Sequence, residues 1–164
     1  MKAIKNIRLK NYNYSSDGYY FVTLIANHKL PYLKNHKNLI KVEVNSLNHL
    51  QGVRIDYYVI MPNHLHVIIA LDKSSLSLGE IVRRFKARLS RATGLKLWQP
   101  NYYEHVIRNE KALQMIREYI QNNPEKEKFE LEQFYKETWQ IRQLQNQGQY
   151  CVVAQFIGRS SSRM

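Results

Sequence analysis

The chain has 164 residues, a formal net charge of +12 and a single cysteine. The length is that of one domain, the lone cysteine excludes a disulfide framework or a cysteine-based zinc site, and no apolar run approaches a membrane span. We therefore expect a soluble, intracellular protein. The charge favours an anionic partner, and favours nucleic acid modestly over an anionic membrane.

The first half of the chain carries the signals of three strands and a helix. Residues 19–26, 53–61 and 64–71 are rich in β-branched and aromatic side chains, which predicts strands. Because only Pro62 and Asn63 separate the last two strands, we expect an antiparallel pair. A helix is predicted over residues 38–50, and its apolar positions are Leu39, Val42, Leu47 and Leu50.

The second half predicts two helices and a further strand. Residues 77–93 form an amphipathic helix with Gly94 at its end. Residues 98–107 predict a loop followed by a short strand. Asn109 is placed to cap the next helix, which Pro124 ends. The apolar stripes of the two helices are Leu78, Ile81, Val82, Phe85, Leu89 and Ala92, and Leu113, Ile116 and Ile120.

The order of these elements predicts an α+β sandwich around a mainly antiparallel sheet with flanking helices. After Glu125 the sequence becomes charged and rich in glutamine. We interpret residues 1–129 as one domain and residues 130–164 as a C-terminal extension that is partly helical or disordered.

Two histidines open the third predicted strand. His64 and His66 are two residues apart, so a strand projects both imidazoles to one face while Leu65 faces the other. Such a pair is half of a site for a divalent metal. Two histidines at the exposed end or the core edge of a strand would give the same pattern. Spacing alone leaves the two interpretations about equal.

Tyr119 and Asn123 lie four residues apart on the last predicted helix and therefore share a face at the edge of its apolar stripe. Such a position suits side chains that line a cleft. Tyr119 could supply a nucleophilic phenol oxygen and Asn123 an amide oxygen for a metal. Spacing alone favours a plainer interpretation, in which Tyr119 packs on the sheet and Asn123 begins a turn.

Basic residues mark two stretches as candidate DNA contacts. Arg84, Arg88 and Arg91 fall on one side of helix 77–93, where a row of guanidinium groups could bind successive phosphates. A solvated helix face is the ordinary interpretation of such a row. Residues 98–108 mix aromatic side chains with His105 and Arg108, a combination that could bind splayed bases or belong partly to the core.

Together these motifs resemble a known family. The segments VIMPNHLHVIIAL and REYIQNNP resemble the His-hydrophobic-His strand and the tyrosine helix of the HUH single-tyrosine transposases. More narrowly, with IRLKNYNYSSDGYYFVTL and WQPNYYEHVIRNEKAL, they resemble the IS200-like, REP-associated tyrosine transposases. The resemblance spans residues 7–129. The chain departs from the family pattern at Pro100 and over residues 125–128.

The resemblance implies a ferredoxin-like sandwich and assigns four residues. It gives His64, His66 and Asn123 as ligands of Mg²⁺ or Mn²⁺, and Tyr119 as the nucleophile that forms a 5′-phosphotyrosine. It implies cleavage and rejoining of single-stranded or hairpin DNA in the cytoplasm, at the nucleoid, by a monomer or a homodimer. The alternatives are a non-catalytic, domesticated DNA-hairpin-binding protein, a metal-dependent hydrolase that uses no tyrosine, and a relative of replication initiators.

Overall fold

The computed structural model describes residues 11–122, which contain four strands and four α-helices. A turn of 3-10 helix follows the first strand at Asn27–Lys29, and another follows the second helix at Leu47–His49. The strands and helices in chain order are β1 (Gly18–Ile25), α1 (Tyr32–Asn35), α2 (Lys37–Ser46), β2 (Val53–Ile60), β3 (His64–Leu71), α3 (Leu78–Thr93), β4 (Tyr103–Ile107) and α4 (Glu110–Asn122).

The four strands form one antiparallel sheet in the order β2-β3-β1-β4. This order places β1 and β3 at the centre, and every residue of β3 is buried, as expected of a central strand covered on both faces. The Pro62–Asn63 connection does join an antiparallel pair. The predicted α+β architecture with a ferredoxin-like strand order is therefore confirmed.

The prediction of a helix over residues 38–50 was wrong about which face is buried and about where the helix ends. Helix α2 buries Ile40 and Val44, and Leu47 is buried in the 3-10 turn that follows. Val42 is 64% exposed. The three buried residues stand at i, i+4 and i+7, a spacing that matches the helical period more closely than that of the predicted set. Because α2 stops at Ser46, Leu50 lies beyond it.

The predicted bounds of α3 and the predicted start of α4 are confirmed by their caps, whereas the predicted end of the last helix at Pro124 lies outside the described residues. The Ser77 hydroxyl accepts a hydrogen bond from the Glu80 amide at 3.3 Å at the start of α3, and Gly94 ends that helix with a φ of 68°. Before α4, Asn109 Oδ1 accepts from the Ala112 amide at 2.8 Å. The apolar stripes of α3 and α4 are buried as predicted, except that Ala92 is exposed.

The described residues fall into two compact units. Residues 13–108 form the unit that holds the sheet and α1 to α3, whereas α4 belongs to the other. The predicted boundary at residues 129 and 130, the C-terminal extension and Asn123 all lie outside the described residues. Between residues 11 and 122, no helix has the length and apolar character needed to cross a membrane.

Two glycines with nearly equal backbone angles provide a matched test of the fold. Gly52 has a φ of 70°, and a Cβ there would lie 2.3 Å from the Asp72 carbonyl oxygen and 2.7 Å from Ser74 backbone atoms. Gly94 has a φ of 68° with nothing within 4 Å of a Cβ. Both substitutions strain the backbone, but only the first forces two chain segments apart.

We expect Gly52→Ala to lower the free energy of unfolding by about 3 kcal/mol or more, since backbone clash adds to a strained φ. Gly94→Ala should cost only about 1 kcal/mol. Urea denaturation of both variants measures the difference. Equal losses would show that the close approach of Gly52 to Asp72 and Ser74 is unimportant.

Candidate functional site

The two histidines of β3 project to the same face of the sheet, as their spacing predicts. His64 and His66 are 8% and 2% exposed, and their ring centroids are 4.8 Å apart in an edge-to-face arrangement. Leu65, between them, is completely buried. The pair is therefore not exposed at a strand end. It is packed into the protein, in a low-dielectric setting where each ring needs polar partners.

Each imidazole is held at Nδ1 by a neighbouring side chain. His64 Nδ1 lies 2.7 Å from Asn63 Oδ1, and His66 Nδ1 lies 2.7 Å from the Thr23 hydroxyl. Phe21 stacks on the His66 ring at a centroid distance of 5.2 Å and an angle of 30°. With Nδ1 occupied, Nε2 is the nitrogen through which either ring could coordinate a metal.

Sequence reasoning missed Thr23 and Asn63 as partners of these rings. Asn63 is the direct neighbour of His64, so its role could have been predicted from the geometry of the turn alone. Thr23 is the single threonine within an apolar and aromatic strand, and it is 1% exposed. A buried hydroxyl in such a strand requires a partner, and that requirement was a signal that the sequence carried.

Strand pairing and three backbone hydrogen bonds fix the position of the pair. In the β1–β3 register Thr23 stands opposite His66 and Ile25 opposite His64. The turn before β3 is held because Asn63 and Pro62 carbonyls accept from the Ala26 and Leu33 amides, at 2.8 and 2.9 Å. The His64 carbonyl accepts from Met61 at 2.9 Å.

The donor set fits part of a divalent metal site. Within residues 11–122 there is no group of three His, Cys, Asp or Glu side chains that could hold a metal. Two imidazole nitrogens therefore need at least one further ligand, either of another kind or from outside that range, and the predicted third ligand, Asn123, lies outside it. Two anchored imidazoles are compatible with several divalent metals and do not by themselves select one.

Tyr119 lies on α4 beside the apolar stripe. The stripe residues Leu113, Ile116 and Ile120 are buried, whereas Tyr119 is half-buried. This is the edge position that helical spacing predicts. The opposite side of α4 is polar, with Arg117 paired to Glu110 at 3.5 Å.

The arginine row on α3 is partly neutralised by carboxylates. Arg84 bonds Glu80 at 2.6 Å and Arg88 pairs with Glu43 at 3.0 Å. Arg83 also bonds Glu80, and the two guanidinium groups lower the pKa of that carboxyl to about 2. Exposed pairs of this kind are weak, so phosphates could still displace the carboxylates. Arg91 is exposed and has no acidic partner between residues 11 and 122.

The segment 98–108 divides between core and surface. Trp98 and Tyr102 are buried, which favours the core interpretation for both, while Tyr103 is 36% exposed. His105 pairs with Phe21 in the sheet and so faces the same side as His66. Arg108 is exposed just after β4. The structure therefore brings His105 to the histidine face and leaves the α3 arginines on a separate element.

Lys86, also on α3, anchors the loop that precedes β4. Its ammonium donates to the carbonyl oxygens of Gln99 and Asn101 at 2.5 and 2.6 Å. Burial lowers the pKa of Lys86 to about 8. One basic residue of the helix thus serves the fold and is not presented for DNA.

Comparisons with known proteins agree on one family. The family model described as "Transposase IS200 like" matches residues 14–123. An uncharacterized protein of Haemophilus influenzae is 37% identical over an alignment of 158 residues that covers 73% of this chain and 87% of that protein. A REP-associated tyrosine transposase of Escherichia coli is 26% identical over 118 residues, covering 71% and 72% of the two chains.

The solved structures include a clear relative. A REP-associated tyrosine transposase bound to a REP hairpin is similar with a TM-score of 0.64 and 27% sequence identity. The similarity covers 73% of each chain.

The low pKa of Lys86 predicts a specific pH dependence of stability. The folded pKa of about 8 lies below the ordinary lysine pKa of 10.5, so the unfolded chain binds more protons between these values. The penalty for burying the ammonium is complete below pH 8 and is relieved as the pH rises. We expect the unfolding free energy of the wild type to increase from pH 7.5 to about 9.5 relative to Lys86→Met.

Urea denaturation at several pH values measures this difference, and the variant cancels the titration of all other groups. Arg91→Met, at an exposed position of the same helix, serves as control and should track the wild type. A constant difference between wild type and Lys86→Met would contradict the prediction.

Proposed function

The chain belongs to the IS200-like transposase family, and from that premise we propose that it cuts and rejoins single-stranded, hairpin-bearing DNA through a covalent bond to Tyr119. The observation that carries the proposal is the buried His64–His66 pair with both Nδ1 atoms anchored. Histidines that bind a metal are usually anchored in this way through their other ring nitrogen, which supports the proposal.

A DNA hairpin is the substrate that the comparisons and the charge favour. The similar solved structure holds a REP hairpin, and this chain carries a net charge of +12. The exposed guanidinium groups of Arg91 and Arg108 would contact phosphates directly. Those of Arg84 and Arg88 would exchange a carboxylate for a phosphate. Work on DNA would place the protein in the cytoplasm, at the nucleoid.

In the proposed reaction the Tyr119 phenol loses its proton and its oxygen attacks a DNA phosphorus. A phosphorus–oxygen bond forms to the tyrosine as the bond to the 3′-oxygen breaks, which leaves a 3′-hydroxyl and a 5′-phosphotyrosine. Attack by a second 3′-hydroxyl reverses these events and joins a new strand. One phosphodiester bond is exchanged for another, so the cycle requires no external source of energy.

His64 and His66 would hold Mg²⁺ or Mn²⁺ through Nε2, with Asn123 as the proposed third ligand. A bound divalent cation would neutralise phosphate charge and orient the scissile group. The protein's own part is to hold both imidazoles in fixed positions. Their burial and their Nδ1 hydrogen bonds support that part.

The first test is formation of a covalent adduct. Purified protein is incubated with end-labelled single-stranded hairpin DNA and Mn²⁺, and a denaturing gel separates the products. We expect a labelled species at the mass of protein plus DNA, and expect chelation with EDTA to remove it. Tyr119→Phe lacks the nucleophilic oxygen and should reduce the adduct by at least about 10³-fold while it still binds the hairpin.

Tyr58→Phe is the matched control. Tyr58 stands opposite Val67 in the sheet and so faces away from the histidines. This variant should form the adduct normally. An adduct in Tyr119→Phe would refute the assigned nucleophile. Hairpin binding without any adduct in the wild type would instead favour the non-catalytic, domesticated binder.

A second test concerns the arginines of α3. If Arg91 contacts a phosphate, Arg91→Ala should lower the slope of log K against log salt concentration by about 1 and weaken binding to all sequences alike. Arg83→Ala is the control, because Arg83 is bound by Glu80 at 2.8 Å and lies outside the proposed row. Fluorescence anisotropy at several salt concentrations measures both. Equal slopes for wild type and Arg91→Ala would exclude the contact.

A further inference from the structure

We propose that Thr23 is a positioning residue, which holds the ring of His66 and supports the tautomer in which Nδ1 carries the proton and Nε2 is left to coordinate. The assignment of a metal to Nε2 rests on the proposed function. The hold of Thr23 on the His66 ring rests on the contact between the two side chains, and its effect on the ring signals can be measured with and without metal.

Thr23 and His66 are joined by geometry that leaves little freedom to either. They stand directly opposite each other in the β1–β3 register, and the hydroxyl lies 2.7 Å from Nδ1. Their exposures are 1% and 2%. Water is therefore not a ready substitute for either partner of this hydrogen bond.

Phe21 restricts the same ring from its face. It stacks on His66 at a centroid distance of 5.2 Å, two residues before Thr23 on the same strand face. A rotation of the imidazole that exchanged Nδ1 and Nε2 would lose both the stacking and the hydrogen bond. One strand, β1, thus fixes the plane of the ring and the direction in which Nε2 points.

The partner of His64 differs from Thr23 in its capacity to donate and accept hydrogen bonds. Asn63 Oδ1 is an acceptor only, so it requires a proton on His64 Nδ1. A threonine hydroxyl can donate as well as accept. Thr23 can therefore adapt to either tautomer of His66, and coordination through Nε2 selects the arrangement in which the hydroxyl accepts. The tautomer of His64 is fixed by Asn63, whereas the tautomer of His66 is fixed when its Nε2 binds a metal.

The variants are chosen to separate the hydroxyl from the space it fills. Thr23→Val keeps the β-branched shape and removes the hydrogen bond, and Thr23→Ser keeps the hydroxyl. Nitrogen-15 NMR of the histidine rings reports the tautomers, with and without Mg²⁺. Electron paramagnetic resonance of unbound Mn²⁺ reports affinity.

In the wild type with Mg²⁺ we expect the His66 proton on Nδ1. In Thr23→Val we expect the His66 ring signals to change, those of His64 to remain, and Mn²⁺ affinity to fall about 10- to 100-fold. Thr23→Ser should recover most of the wild-type His66 ring signals and most of the Mn²⁺ affinity. As a comparison, Asn63→Ala should alter the His64 signals and spare those of His66.

The proposal is overturned if His66 of the wild type carries its proton on Nε2 in the presence of Mg²⁺, a result that depends on no variant folding. It is also overturned if Thr23→Val retains the ring signals and the Mn²⁺ affinity of the wild type. Failure of the proposed function is distinct from both outcomes. In that case no adduct forms on DNA, while Thr23→Val still changes the ring signals of His66 and leaves those of His64.

Discussion

The pairing of β1 with β3 is the constraint on which the candidate site depends. Side chains alternate between the faces of a strand, so a shift of one residue in this register would send both histidines to the opposite face. The register places Thr23 opposite His66. It is held by the apolar residues of β1 and β3, which are buried along almost their whole length. The same strand pairing therefore supports both the packing of the core and the geometry of the site.

Much of the fold was predictable because its signals are local. The His64–Leu71 strand has its predicted bounds, and Gly94 and Asn109 have their predicted roles at the helix ends. The error in α2 has a simple cause. Leu39 and Val42 are apolar, but the helix has only one face to bury, and Ile40 and Val44 occupy it. Apolar character alone does not determine which of two overlapping stripes faces the core.

The site was less predictable because the side chains that contact its residues are distant from them in the sequence. The histidine pair follows from the two-residue period of a strand, and Tyr119 at a stripe edge follows from the helical period. Thr23 is 43 positions from His66, and only the pairing of the strands brings them together. The same is true of Arg88 and Glu43, which no spacing rule connects. The roles of Tyr119 and Asn123 came from the family resemblance and remain predictions.

The outer edge of β2 has a consequence for how this protein meets copies of itself. A strand at the border of a sheet exposes unpaired backbone groups that can template further strands. In β2 the register shifts between Ile55 and Tyr57, the Ile55 amide donates to Asn48 Oδ1 at 2.7 Å, and Arg54 pairs with Asp56 beside it. These features interrupt the border where a second chain would add. The β2 edge is therefore a poor template for the addition of a further strand.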